Sequence, residues 1–515
     1  MNLLAIIIVL LLLIVIIIAV IYTNKCSSTI IESYIKKNTH DEYLVDLSTT
    51  FITKLLDDST PANQLYIKKN IYQKPNKDEE INVTWEFNEL SKKVLDEVPK
   101  TLYGWYHEST SSNGKSCINA IDAFDQIKIK THYLGSKKDF SLQRELVLSS
   151  IELGKTTFTI DCPFFTVPYG CASEYGGKSD DLRTLRGTIK GGGIYTIPTL
   201  SQYSLNEHVH EIRKASNKSN PFFLFQFYVT IDNDINISII ERSKELGVSI
   251  IVLTIDTGTN NHGGIPLMEL QADLTYSRTF CSHLFNDPVF NIKCYNKHNC
   301  VGTTDIDVLQ YVSNHVMIPV EELINSFNSV VSLDYAKSIL SFGNMNVENN
   351  DNVKSIRHIS SLCHMNQSIS TYSKRNINKG VPLVVKGCLT PEDALLIQEA
   401  GADGVYVSNH GGRFTFNAPA TLDVVTEIRT VVKKVNNDFG VWLDGGVRHG
   451  AHILMAYAKG AEFVGVGRPI IYSGVLYGEA GVSSITKKMI FELNAQAISS
   501  GLNHLNDYSI LKSIL

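Results

Sequence analysis

The amino-acid sequence predicts an α/β protein: a (β/α)8 TIM barrel behind an N-terminal transmembrane helix, with a long insertion after strand 4. Three observations predict the barrel. From about Trp85 onward, short and nearly continuous apolar runs alternate with amphipathic segments, the pattern of strands buried on both faces of a parallel sheet. Polar residues recur just past the ends of these runs, where a barrel collects its functional groups. Two segments carrying glycine and arginine follow the last two runs in tandem, where this fold frequently binds phosphate. A doubly wound sheet shares the alternation, but no Gly-x-Gly-x-x-Gly turn opening a first helix is evident.

The elements follow in chain order. Residues 1–24 read as a transmembrane anchor. The run 3–22 is uninterrupted and apolar, with no charge before Lys25, and at about 1.5 Å per residue it spans roughly 30 Å, the depth of a bilayer core. It is too long for the apolar part of a cleaved signal peptide and lacks the basic start. Lys25, Lys36 and Lys37 follow it, so the positive-inside rule places the large domain in the cytoplasm. Nine cysteines without a CxxC pair fit a reducing compartment. Residues 25–90 are polar and rich in Lys, Asp and Asn, which suits a tether with some helix. They lack the paired histidines of a haem module.

Residues 91–515 are expected to form the barrel. Of the 515 residues, 43% are hydrophobic and 19% charged, enough apolar content for a large core. The net charge of -5 offers no cationic surplus for phosphate backbones, which argues against nucleic acid as a partner. The expected strands are 156–160, 193–197, 222–227, 248–255, 381–385, 405–407, 441–443 and 463–466. Residues 391–400 read as a helix, with Pro391 suited to its first turn. The interval 260–378 is far longer than a crossover needs and is expected to be an insertion or lid on the catalytic face. Its Cys281, His283, Cys294, His298 and Cys300 match no zinc spacing, and no metal is expected.

The strand ends supply the candidate site. Gln226 and Tyr228 end the third strand; Thr254 and Asp256 end the fourth. Lys386 closes the fifth, where a lysine is costly without an opposite charge, either a bound anionic ligand or a nearby carboxylate. Ser408-Asn409-His410-Gly411-Gly412-Arg413 follows the sixth. A base and a guanidinium on one turn suit a substrate that loses a proton while its carboxylate is held. Asp256 is placed to orient His410 and to stabilise its imidazolium. Asp444-Gly445-Gly446-Val447-Arg448 follows the seventh strand, and Gly465-Val466-Gly467-Arg468-Pro469 ends the eighth. Glycines there let backbone N–H groups approach an anion that Arg448 and Arg468 neutralise. A structural histidine or a surface arginine would account for any one of these residues alone. The ordered set points to chemistry.

The stretch VPLVVKGCLTPEDALLIQEAGADGVYVSNHGGR, from Val381 to Arg413, closely resembles the FMN-dependent 2-hydroxy-acid dehydrogenases and oxidases, such as glycolate oxidase and the flavin-type lactate dehydrogenases. Ala418-Pro419-Ala420-Thr421, Leu443 to Arg448 and Gly467-Arg468-Pro469 continue the pattern, and Val98 to Tyr103 with Asn119 to Phe124 are similar to its N-terminal signature. The resemblance implies FMN at the C-terminal mouth of the barrel. Gln226, Thr254 and Ser408 would bond the isoalloxazine, and Lys386 would lie at its N1–C2 carbonyl edge. Asp444, Gly446, Arg448, Gly467 and Arg468 would hold ribityl and phosphate. Tyr228 and Trp105 would contact a small 2-hydroxy acid, with His410 as base, Asp256 as its partner and Arg413 as carboxylate clamp. A homo-oligomer is also implied, its subunit number left open.

This chain departs from the family at several positions. Trp105 stands where the family has a carboxylate-binding tyrosine. The second substrate arginine has no counterpart, with His262 the nearest cation, and Phe416 replaces an acidic residue. The flavin-bonding serine near residues 197–199 is missing, with Thr196 or Thr199 the nearest substitutes. Each lost hydrogen bond to a charged group costs about 1.5–3 kcal/mol, or roughly 10- to 150-fold in binding. The leading expectation is a membrane-anchored oxidoreductase that turns a 2-hydroxy acid into a 2-oxo acid. A flavin-binding scaffold without catalysis, or a flavin enzyme for a non-carboxylate substrate, would also fit these departures. No residue names the electron acceptor.

Overall fold

Strand and helix alternate in the computed structural model, which describes residues 114–131, 150–153, 156–170, 172, 180–230, 232–256, 282–290, 292–293, 351–371, 375, 377, 379–415, 417–502, 505 and 508–515. All of these fall in the unit Lys74–Leu515. Helix α1 (Lys115–Asp125) comes first. An antiparallel hairpin of β1 (Ser150–Leu153) and β2 (Thr156–Thr159) follows. Eight parallel strands then build one sheet: β3 (Phe164–Thr166), β4 (Thr196–Ile197), β5 (Leu224–Phe227), β6 (Ile250–Thr254), β7 (Leu383–Cys388), β8 (Gly404–Val407), β9 (Gly440–Leu443) and β10 (Phe463–Val466). A parallel bridge from Phe165 to Ile194 closes the ring, with the Thr166 N–H donating to the Ile194 carbonyl at 2.8 Å. The expected (β/α)8 barrel is present.

Its first strand is not the expected one. Residues 156–160 are mostly exposed and pair with β1, whereas β3 is wholly buried. The threonine-rich run has strong β propensity, and Pro163 and Pro168 make the Phe164–Thr166 segment read as a loop. The hairpin serves the barrel from below. Leu153 packs closely on Gly404 and Gly440, the first residues of β8 and β9, so that a Cβ on Gly440 would push against the Leu153 side chain. Aromatic rings fill the barrel interior: Phe165 lies 5.5 Å from Tyr406, 5.4 Å from Trp442 and 4.6 Å from Phe463, centroid to centroid.

The helices begin where their sequences provide caps. The carboxylate of Asp180 accepts from the N–H groups of Leu182 and Arg183 to start α2 (Asp181–Lys190). Ser204 and Glu207 form a capping box for α3 (Leu205–Ser216), and Asp232 caps α4 (Asn233–Glu245). After α5 (Ser282–Phe285) and α6 (Asp351–His364), Thr390 caps α7 (Pro391–Glu399), which has Pro391 in its first turn as expected. Helices α8 (Thr421–Val435), α9 (Gly450–Lys459) and α10 (Arg468–Ser499) complete the wall, and α11 (Tyr508–Ser513) ends the chain's regular structure.

Helix α6 lies inside the interval expected to be an insertion. It packs as the crossover before β7, with Ile356, Ile359 and Leu362 in the core. The segments 257–281 and 294–350, the anchor 1–24 and the tether 25–90 lie outside the described residues. Among the described residues, no helix is long and apolar enough to cross a membrane. Cys117, Cys162, Cys363 and Cys388 are buried free thiols.

Candidate active site

Parallel pairing brings the predicted residues together at the C-terminal ends of the strands. Thr254 of β6 sits opposite Lys386 of β7, so Asp256, two residues on, comes alongside β7. Gly387 makes that approach feasible. Its φ is 116°, and a Cβ there would stand 2.5 Å from the Asp256 Cβ. The turn after β8 delivers His410 to the same place, with φ at 53° in the left-handed region and its N–H donating to Ser408 Oγ at 3.1 Å.

The result is a three-residue cluster. Asp256 Oδ1 lies 2.7 Å from His410 Nδ1, and Asp256 Oδ2 lies 3.3 Å from Lys386 Nζ. With a carboxylate as partner, His410 Nδ1 carries the hydrogen and Nε2 keeps its lone pair. Burial pushes the His410 pKa down, and the positive charges of Lys386 and Arg413 outweigh enough of the pull of Asp256 to leave it below the usual 6.5. Burial would raise the Asp256 carboxyl, but His410 and Lys386 hold it at about 2. At neutral pH the cluster is therefore a neutral imidazole fixed by a carboxylate, with an ammonium beside it. The carboxylate foreseen as one partner for Lys386 is Asp256.

Arg413 and Arg468 both lie against Gly411. A Cβ on Gly411 would stand 2.6 Å from Arg413 Nη1 and 3.3 Å from Arg468 Nη1. Arg413 Nη1 donates to the His410 carbonyl at 2.9 Å, and Arg468 Nη2 donates to the Gly411 carbonyl at 3.2 Å. Arg448 is buried near Arg468, and burial together with that neighbour lowers its pKa to about 10. Three guanidinium groups near one mouth favour anionic ligands. Arg468 also begins α10, directly after β10, so an N-terminal helix dipole points to the same region.

Polar atoms without a hydrogen-bond partner among the described residues also face the mouth. Thr196 Oγ1 on β4, Gln226 Nε2 on β5 and Thr254 Oγ1 on β6 are buried and unsatisfied, as is Asp444 Oδ1 after β9. Thr199 is engaged instead: its N–H donates to Gln226 Oε1 at 2.9 Å and its hydroxyl to the Gln226 carbonyl at 2.6 Å. Of the two candidate substitutes for the missing serine, Thr196 is the one with an uncommitted hydroxyl. Tyr228 is half-buried just past β5. Ser408 is buried beneath the His410 turn. Trp105, His262 and Phe416 lie outside the described residues.

A match to the FMN-dependent dehydrogenase family model extends over residues 96–511. The chain belongs to that family. It is 28% identical to an L-lactate oxidase of Lentilactobacillus hilgardii, over 67% of this chain and 74% of that one. It is 27% identical to glycolate oxidase 3 of Oryza sativa subsp. indica, over 82% and 92% respectively. In fold it is similar to a crystal structure of a lactate oxidase from Pediococcus acidilactici, with a TM-score of 0.55 and 23% identity over 86% of this chain and 97% of the other.

FMN is thus the cofactor, and the mouth fits it. The unsatisfied Thr196, Gln226 and Thr254 atoms suit the polar edge of an isoalloxazine, and Asp444 Oδ1 suits a ribityl hydroxyl. Arg448, Arg468 and the start of α10 suit the phosphate. Gly446 has a further reason to be glycine: its φ is 77°, and a Cβ there would run into the Ala120 carbonyl of α1. Gly467 meets only Val167, whose Cγ2 would be 3.2 Å from a Cβ.

Several supporting residues were not foreseen. Tyr406 looks like a core residue in an apolar strand, yet its hydroxyl donates to Asp444 Oδ2 at 2.8 Å. Thr421 holds the Asp444 carbonyl. Helix α1 closes over the mouth: Ser116 Oγ accepts from the Ala418 N–H at 2.9 Å, and Cys117 Sγ lies 3.8 Å from Arg448 Nη2. The Asn119 to Phe124 stretch of α1 resembles the family, but its sequence does not show that Ser116 and Cys117 reach the mouth.

Proposed function

We propose that this chain is a membrane-anchored, FMN-dependent oxidoreductase that converts a small 2-hydroxy acid to the 2-oxo acid. The observation that carries the reading is the 2.7 Å pairing of His410 Nδ1 with Asp256 beside Lys386. The names of the curated relatives, L-lactate oxidase and glycolate oxidase, support the substrate class.

Oxidation of the alcohol removes two electrons and two protons; FMN, when bound, would supply the redox chemistry by accepting both electrons and one proton, and His410 would take the other proton. The residues do the rest. His410 Nε2 takes one proton from the substrate, because Asp256 holds the ring in the tautomer that leaves this nitrogen basic. The same carboxylate then stabilises the imidazolium. Arg413 binds the substrate carboxylate with the fork it now turns toward the His410 carbonyl. Tyr228 would contact the substrate, and Trp105 would stand on the side of the substrate carboxylate. Gln226, Thr254 and Ser408 would hold the isoalloxazine, and Lys386 would place a positive charge beside it. Asp444, Gly446, Arg448, Gly467 and Arg468 would hold ribityl and phosphate.

His410→Ala is expected to keep its FMN while losing flavin reduction by substrate in the absence of oxygen. Normal reduction by that variant would remove His410 from the base role, whereas a flavin-loaded parent that no 2-hydroxy acid reduces would favour the non-catalytic scaffold. For the anchor, the full chain is expected in the membrane fraction and a chain starting at residue 25 in the supernatant. The same partition for both would end the anchoring proposal.

A further inference from the structure

Helix α4 is unusual for a barrel wall. Residues Ile235 to Ser243 are buried without interruption, although Asn236, Ser238, Glu241, Arg242 and Ser243 among them are polar. A barrel helix ordinarily shows such residues to solvent. Here two segments from the β6–β7 interval cover them. On the returning side, the Glu241 carboxylate accepts from Ser368 Oγ at 2.8 Å and from the Ile369 N–H at 2.6 Å. On the outgoing side, Arg242 donates to the Asn286 carbonyl at 2.7 Å and to the His283 carbonyl at 2.8 Å, with Asp287 Oδ2 at 3.8 Å. Ser238 Oγ donates to the same Asp287 oxygen at 2.8 Å.

The outgoing arm, residues 282–290, reaches further than the helix. Its Ser282 N–H donates to the Ser201 carbonyl at 3.1 Å, and its His283 ring is buried 5.6 Å from Phe225 and 5.5 Å from His208. Ser201 ends the loop that carries Thr199, and Phe225 precedes Gln226 on β5. Thr199 determines how the Gln226 amide points. Its N–H can donate only to the amide oxygen, so Gln226 Nε2 is turned away from it, buried and without a protein partner. The arm thus supports, from outside, the loop and the strand that set one donor at the flavin mouth.

We propose that the arm 282–290, anchored by Arg242, is a brace that positions Gln226 Nε2 toward FMN. Arg242 is a positioning residue in this role, and so is Ser282 through its backbone. The proposal rests on the flavin reading of the site and adds to it a function for the β6–β7 interval.

The test is a double-mutant cycle on the full chain, reading the FMN dissociation constant and the visible spectrum of bound FMN. Arg242→Lys keeps the buried charge opposite Asp287 but loses one of the two carbonyl bonds, and Arg242→Met removes both. Gln226→Ala alone is expected to weaken FMN binding about fivefold, the value of one neutral hydrogen bond, and to shift the flavin band. Arg242→Lys is expected to give part of that loss and the same spectral shift. In the Gln226→Ala background it is expected to add nothing further. Additive effects, or an Arg242→Lys spectrum identical to the parent, would overturn the brace. Should Arg242→Met not fold, the Lys variant still decides. An unchanged Gln226→Ala protein would instead overturn the flavin assignment of Gln226, a separate failure.

Discussion

Asp256→Asn tests the reasoning at its densest point. The substitution keeps the shape of the side chain and removes the negative charge that faces both His410 at 2.7 Å and Lys386 at 3.3 Å. A hydrogen bond to a charged group is worth about 1.5–3 kcal/mol, so flavin reduction by substrate should slow by roughly 10- to 150-fold. FMN should stay bound, because Arg448 and Arg468, the proposed phosphate ligands, bond to the Val447 and Gly411 carbonyls and not to Asp256. The pH profile provides a second reading with a defined sign. His410 acts as the neutral base, so its rate falls as pH drops through its pKa, which lies below 6.5. Asp256 raises that pKa, so its loss should move the acid limb to lower pH while lowering the plateau. The assay is stopped-flow reduction of bound FMN without oxygen across pH. A parental rate, or an acid limb that moves upward, would refute the account of the cluster.

Other outcomes follow from the same geometry. Lys386→Met should weaken FMN binding or slow reduction, read by flavin titration and stopped flow; unchanged values would undo the pyrimidine-edge assignment. Asp256 is held at about 2 against an ordinary 3.8, so its charge stabilises the fold above about pH 4 by about 2 kcal/mol, and the gain is lost as pH falls toward 2. Denaturant midpoints of the parent should therefore drop over that window more than those of Asp256→Asn. Gly446→Ala should destabilise the protein and disturb α1, since the new methyl meets the Ala120 carbonyl at a φ of 77°. Thermal unfolding checks this, and an unshifted midpoint would contradict the packing described.

Strands β4 to β10 were legible because burial on both faces leaves them apolar throughout, and their polar ends then mark the mouth. That is how Lys386, His410, Asp256 and Gln226 could be placed from the sequence. Strand β3 was not legible. Its two prolines imitate a loop, and the neighbouring β2 has the better strand composition while packing beneath the barrel. Tyr406 was hidden for a related reason: an aromatic residue in an apolar run reads as core, and only the fold brings its hydroxyl to Asp444. The resistance of Arg242 and Glu241 to such reading is similar. On a helix they look like solvated charges, and long-range contacts with residues 283–287 and 368–370 bury them.

Oxidation of a 2-hydroxy acid by FMN bound in this barrel can be followed in the flavin's visible band. The most direct measurement loads the chain with FMN, removes oxygen and adds lactate, glycolate and mandelate in turn while recording the visible spectrum. The account predicts that at least one acid bleaches the flavin band in the parent and not in His410→Ala. A bound flavin that no 2-hydroxy acid bleaches, or a chain that binds no FMN, would contradict it.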